Sequence, residues 1–141
     1  MDGKKTRILI VEDEEILLTA LSEELAQEGF EAIGAKDGVE GVEKAVTEKP
    51  DLILLDLVMP RLDGIGALKQ MKENQSIRDI PVVILTNLSD YDKVSDALSL
   101  GAMDYLVKAN YRLEELVNKI RTILERPSTI AGTAASAAPV A

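Results

Sequence analysis

The chain contains no cysteine. That excludes a disulfide framework and any Cys-ligated zinc site, and it agrees with a reducing compartment. Histidine is absent as well, which removes the usual general base, the usual imidazole metal ligand and any phosphohistidine carrier. Aromatic residues make up only 3% of the chain, so its core must be built from Leu, Ile, Val and Ala. Positive charge is short: 16 Lys+Arg face 25 Asp+Glu, a formal net charge of −9. Such a balance argues against non-specific binding to nucleic acid or to an anionic membrane. Long apolar runs are missing too. "ILIV" (8–11) is stopped by Glu12, too short for a signal peptide or a bilayer span. These absences lead us to expect a cytoplasmic protein with no membrane and no direct nucleic-acid partner.

What is present suits a single domain with a real core: 141 residues, 46% of them hydrophobic. Short apolar runs alternate with longer amphipathic ones. "RILIV" (7–11), "EAIGA" (31–35), "DLILL" (51–55), "PVVIL" (81–85) and "DYLVK" (104–108) read as strands. Between them, residues 14–28, 39–48, 65–74, a segment opened by a Ser89…Asp92 capping signature, and 113–125 read as helices. Gly29 stands where a helix C-cap glycine is expected. Strands alternating with helices, and strands apolar almost throughout, predict a parallel sheet covered on both faces: an α/β, doubly wound, three-layer fold over residues 5–125. Residues 126–141, "RPSTIAGTAASAAPVA", are rich in Ala, Ser, Thr and Pro without amphipathic period, and are expected to be a disordered low-complexity tail.

The stretch "DLILLDLVMPRLDG" (51–64) places Asp56 between two apolar segments. A buried carboxylate without partners costs several kcal/mol or more, so Asp56 belongs at a strand's end, where partners can be supplied. Doubly wound sheets bind ligands beyond the carboxyl ends of their strands. There the first strand delivers Glu12 and Asp13, the third Asp56, the fourth Thr86 and the fifth Lys108. The second delivers only Ala35, Lys36 and Asp37. Three carboxylates at one rim call for protons or a hard cation, and magnesium suits a few carboxylates with room for waters and phosphate oxygens. Lys108 adds a point charge and Thr86 a hydroxyl. A carboxylate nucleophile, a cation, an ammonium and a hydroxyl are what phosphoryl transfer requires. Each residue taken singly has an ordinary explanation: an acidic helix start, a turn residue before Pro60, a Thr capping the turn at Asn87, a solvated lysine. Their joint placement at four strand ends favours the functional reading over the ordinary ones.

Glu12-Asp13, then Asp56 followed by Pro60 and Gly64, then Thr86, then Lys108 resemble the receiver domain of bacterial response regulators. The resemblance covers roughly residues 5–125 and implies a flavodoxin-like sheet in the order 2-1-3-4-5. It implies Asp56 as phosphoacceptor. It implies Mg2+ held by Asp13, Asp56 and the carbonyl of Val58, with Glu12 acting through water. Thr86 and Lys108 would grip the phosphoryl group, and Tyr105 would turn inward as a switch when Thr86 shifts. The donor would be a sensor histidine kinase or a phosphotransfer protein. The output would be a protein partner met by the fourth helix, fifth strand and fifth helix, a face on which Tyr91, Leu98 and Tyr111 also suit a homodimer.

The sequence departs from the family pattern at two places. Ala109 follows Lys108 where proline is usual, so the bond is either trans with an altered loop or a costly cis bond. Asn87 follows Thr86 where a small residue is usual. Val58 and Leu88 are expected to flank the site and shield an aspartyl phosphate from water. A turnover enzyme is not expected. A dehalogenase-like phosphatase would need a second Asp where Val58 stands, and a flavin binder would not put "EDEEI" in its phosphate loop. The remaining alternative is a receiver-like binding module that is never phosphorylated, against which the complete acidic, Thr and Lys set argues.

Overall fold

The computed structural model describes residues 4–87 and 91–126. Its strands are β1 (Arg7–Val11), β2 (Glu31–Ala35), β3 (Leu52–Asp56), β4 (Val82–Thr86) and β5 (Asp104–Val107). Its helices are α1 (Glu15–Gln27), α2 (Gly38–Glu48), α3 (Gly64–Glu73), α4 (Tyr91–Ser99) and α5 (Leu113–Leu124). All strand pairs are parallel and the order is β2-β1-β3-β4-β5, the doubly wound architecture the alternation predicted. β3 and β4 lie inside the sheet and are buried at every residue, whereas β2 and β5 form its edges and are partly exposed. Ser89 of the Ser89…Asp92 capping signature and nearly all of the 126–141 tail fall outside the described residues, while Asp92 lies in the first turn of α4.

Side-chain alternation along the strands divides the core into two layers. Leu9, Val11, Ile53, Leu55, Val82 and Ile84 point to one face and pack with residues of α2, α3 and α4 such as Ala45, Leu68 and Val94. Ile8, Ile10, Leu52, Leu54, Val83 and Leu85 point to the other and pack with Leu21 and Leu25 of α1 and Leu116, Val117 and Ile120 of α5. Truncating one fully buried leucine of this kind to alanine typically costs about 2–5 kcal/mol.

Three strand limits differ from the sequence expectation, and all three concern the rim. β3 runs one residue further and includes Asp56; β4 likewise includes Thr86. β5 stops at Val107, and Lys108 opens a single 3-10 turn, Lys108–Asn110. No peptide bond among the described residues is cis. With alanine in place of proline, the Lys108–Ala109 bond is trans, and the chain makes its corner with the 3-10 turn.

Candidate functional site

The alternation that builds the two core layers also sorts the polar residues of the rim. Glu12, Asp56 and Lys108 continue the α1/α5-facing positions of β1, β3 and β5, while Thr86 and Tyr105 continue the α4-facing positions of β4 and β5. The contacts agree. Lys108 Nζ lies 2.9 Å from Glu12 Oε1 and 3.4 Å from Asp56 Oδ1, with Glu14 Oε1 at 3.9 Å. Glu12 is 0% exposed and Asp56 only 5%. Asp13 is exposed, yet a carboxylate oxygen of each of Glu12, Asp13 and Asp56 lies within 4.8 Å of the others. The structure thus brings together every carboxylate picked from the sequence, with Lys108 beside them.

Electrostatics at this rim are under-compensated. Burial, reinforced by the Glu12 carboxylate, pushes the Asp56 pKa up to about 7 against the pull of Lys108 and of the Val58 N–H. Burial opposes the Lys108 ammonium, but Glu12 and Asp56 outweigh it and hold its pKa above the ordinary lysine value. Glu12 is fixed at its other oxygen, where Oε2 accepts the Glu14 N–H at 3.0 Å. Its Oε1 is the one buried side-chain oxygen or nitrogen among the described residues without a well-aligned hydrogen-bond donor; its only charged neighbour at short range is the Lys108 ammonium, 2.9 Å away. A buried, under-bonded carboxylate oxygen beside two further carboxylates is an oxygen-only donor set with a surplus of negative charge. It fits a hard divalent cation of the magnesium type.

Thr86 sits one residue beyond Leu85, which pairs with Asp56 across β3 and β4. It is 1% exposed, and its hydroxyl donates to the Asn87 carbonyl at 3.1 Å, so the turn-capping role is real. Thr86, Asn87, Tyr91, Tyr105, Val107 and Asn110 line a cavity of about 250 Å3 between β5 and α4. Tyr105 is half-buried at its edge, and its neighbour Tyr91 raises its pKa above the ordinary phenol value. Asn87 is exposed and faces the same cavity. Val58 is 49% exposed beside an Asp56 that is 5% exposed; Leu88 lies outside the described residues.

The turn after β2, which showed nothing notable in sequence, is part of the construction. The Glu12 N–H donates to the Ala35 carbonyl at 2.9 Å. Two residues on, Asp37 caps α2, accepting the Glu40 N–H at 2.8 Å, and its other oxygen meets the Arg61 guanidinium at 3.3 Å. Two glycines permit the close packing here. A Cβ on Gly38 would stand 2.0 Å from the Leu62 carbonyl oxygen, and one on Gly64 would stand 2.3 Å from that of Asp56. Asp37 stood at the end of the second strand in the sequence but carried no motif to mark it; the Gly38 that follows it was the only hint of a close approach.

Fold and site together define a receiver domain. Residues 8–121 match the family described as the response regulator receiver domain, and the chain belongs to that family. Such domains are phosphoryl-accepting signalling switches of two-component systems rather than turnover enzymes; they are served by histidine kinases and bind magnesium at an acidic pocket. Among relatives, the alkaline phosphatase synthesis transcriptional regulatory protein PhoP of Bacillus subtilis is 41% identical over 121 residues, 85% of this chain and 49% of the relative. The response regulator ArlR of Staphylococcus saprophyticus is 43% identical over 122 residues, 86% of this chain and 53% of its own. The chain therefore spans about half the length of these relatives. Of solved structures, a putative response regulator from Chloroflexus aurantiacus superposes with a TM-score of 0.78 at 28% identity, covering 87% of this chain and all (100%) of the other. The receiver domain of the sensor histidine kinase PA1611 of Pseudomonas aeruginosa, solved with magnesium in its active-site cleft, gives 0.77 at 27% identity, with 87% and 100% covered.

Among the described residues, no helix is long and apolar enough to cross a membrane.

Proposed function

We propose that Asp56 is the phosphoacceptor. The observation that carries this reading is its environment: a nearly buried carboxylate beside one ammonium and two further carboxylates. In the transfer, an Asp56 carboxylate oxygen forms the new P–O bond as the P–N bond of a partner's phosphohistidine breaks. The released imidazole takes a proton from solvent. The donor is a sensor histidine kinase, a phosphotransfer protein or a small phosphodonor, since this chain has no histidine of its own.

Mg2+ would be held by Asp13, Asp56 and the Val58 carbonyl, with Glu12 through water, and would neutralise charge on the transferring oxygens. Lys108, already 3.4 Å from Asp56, pairs with a phosphoryl oxygen. The Thr86 hydroxyl must leave the Asn87 carbonyl to reach that group. Its departure makes room for Tyr105 to turn into the cavity the two residues share. The face made by α4, β5 and α5 would then change and carry the output to a protein partner or to a second copy of the chain. Tyr91 and Leu98, 71% and 41% exposed, lie on it. The same groups would hydrolyse the phosphoryl group slowly, ending the signal. We place the domain at residues 5–125, followed by the low-complexity tail 126–141, and the protein in the cytoplasm.

Intact-mass measurement after incubation with acetyl phosphate tests this. The expected result is one added phosphoryl group, dependent on Mg2+ and absent in Asp56→Ala. No addition from acetyl phosphate or from a phosphorylated histidine donor would leave the never-phosphorylated binding module as the better reading.

A further inference from the structure

The loop from Leu57 to Asp63 joins β3 to α3 and carries Val58, whose backbone N–H is close enough to the Asp56 carboxylate to pull its pKa down. Its stem is anchored at one end, where the Gly64 N–H donates to the Leu57 carbonyl at 2.9 Å. Its tip lies against the start of α2, so close that Gly38 has no space for a Cβ beside Leu62. Arg61 occupies a left-handed backbone conformation, φ 67°, which disfavours any residue with a side chain. Here that backbone aims the guanidinium at Asp37, 3.3 Å away. Asp37 is itself held: it is 8% exposed, caps α2 through its other oxygen, and follows the Ala35 carbonyl that receives the Glu12 N–H.

The turn after β2 thus braces both loops that follow the cluster-bearing strands, one through the Glu12 backbone and one through Arg61. From this geometry we infer that Asp37 and Arg61 are positioning residues for the metal-binding carboxylates: their ion pair sets the β3–α3 loop, and with it the Val58 backbone, relative to Glu12 and Asp56. Neither side chain touches the reacting atoms. The inference rests on the reading of the acidic cluster as a Mg2+ site.

The sign of the effect separates positioning from simple charge. Arg61 is a cation near an acidic site, so electrostatics alone would have its removal tighten Mg2+ binding. Loss of positioning would weaken it. The test is calorimetric titration of Mg2+ into the full chain as wild type, Arg61→Gln, Asp37→Asn, the double variant and Arg61→Lys. Asparagine keeps the helix cap while removing the charge.

A partly exposed pair of this kind should give about threefold weaker binding in either single variant. The double variant should be no weaker than the singles, because one interaction is lost in all three, and Arg61→Lys should recover most of the affinity. Thermal midpoints without Mg2+ should stay within about 2 °C of wild type. Unchanged or tighter binding in Arg61→Gln, additive losses in the double variant, or a large fall in the midpoint would each overturn the inference while leaving the site's function intact. A wild type that binds no Mg2+ would overturn both.

Discussion

The two rims of the sheet carry similar charges and treat them differently. At the rim where the strands begin, one cation, Arg7, faces Glu31 and Glu48 as ion pairs, and its N–H donates to Asp51. At the rim where the strands end, one cation, Lys108, faces Glu12, Asp56 and Glu14. The stoichiometry is nearly the same, but the burial is not. The Arg7, Glu31 and Glu48 side chains are 30%, 52% and 44% exposed, against 14%, 0% and 7% for Lys108, Glu12 and Asp56. Water dissipates the surplus negative charge at the first rim. At the second it stays as a raised Asp56 pKa and an under-bonded Glu12 oxygen. Burial, more than charge count, separates a structural ion-pair cluster from a site that calls for a ligand.

Removing the cation at each rim should break that comparison most visibly. Lys108→Met leaves two buried carboxylates facing each other. At pH 8 without metal it should cost about 3 kcal/mol of stability in urea denaturation. The loss should shrink toward pH 5, where Asp56 takes up a proton in compensation. A flat pH response would mean that Lys108 is not the counter-charge of Asp56.

Removing the surplus anion should have the opposite sign. The folded-state pKa of Asp56 is raised to about 7, above an unfolded value of about 3.9. Between those limits the folded state holds a proton that the unfolded state has released, so this group's contribution to stability is greatest below pH ~4 and is lost as pH rises through about 7. Asp56→Asn removes the pH-dependent penalty. In chelator it should be more stable than wild type by about 2 kcal/mol at pH 8, with the advantage disappearing toward pH 4. Equal stability at pH 8 would mean the carboxylate is better solvated than its burial indicates.

The smallest effect belongs to the other rim. Arg7→Gln should shift the thermal midpoint by no more than about 2 °C and leave Mg2+ affinity unchanged. A larger shift would show that the exposed cluster also stores energy and would erase the contrast between the rims.

Most of the fold and the residues gathered in the candidate site were legible in the sequence. Runs such as "ILIV" and "LILLD" can be buried on both faces only in a covered parallel sheet, and polar residues ending them must emerge at its carboxyl rim. Glu12, Asp13, Asp56, Thr86 and Lys108 were therefore identifiable from strand position and residue type alone. Alternation along each strand already contained their division into an Asp56 group and a Thr86–Tyr105 group.

Tertiary structure alone decided the rest. The trans bond and 3-10 turn after Lys108, the half-exposure of Val58 and the commitment of the Thr86 hydroxyl to Asn87 depend on loop geometry, which side-chain periodicity does not encode. Neither does the partnership of Asp37 with Arg61. Those two residues lie in loops that follow different strands, and they meet because α2 and α3 pack side by side on one face of the sheet, with Gly38 at the first position of α2 letting its backbone approach Leu62. Local pattern specifies which groups reach the rim; long-range packing of the loops specifies which of them touch.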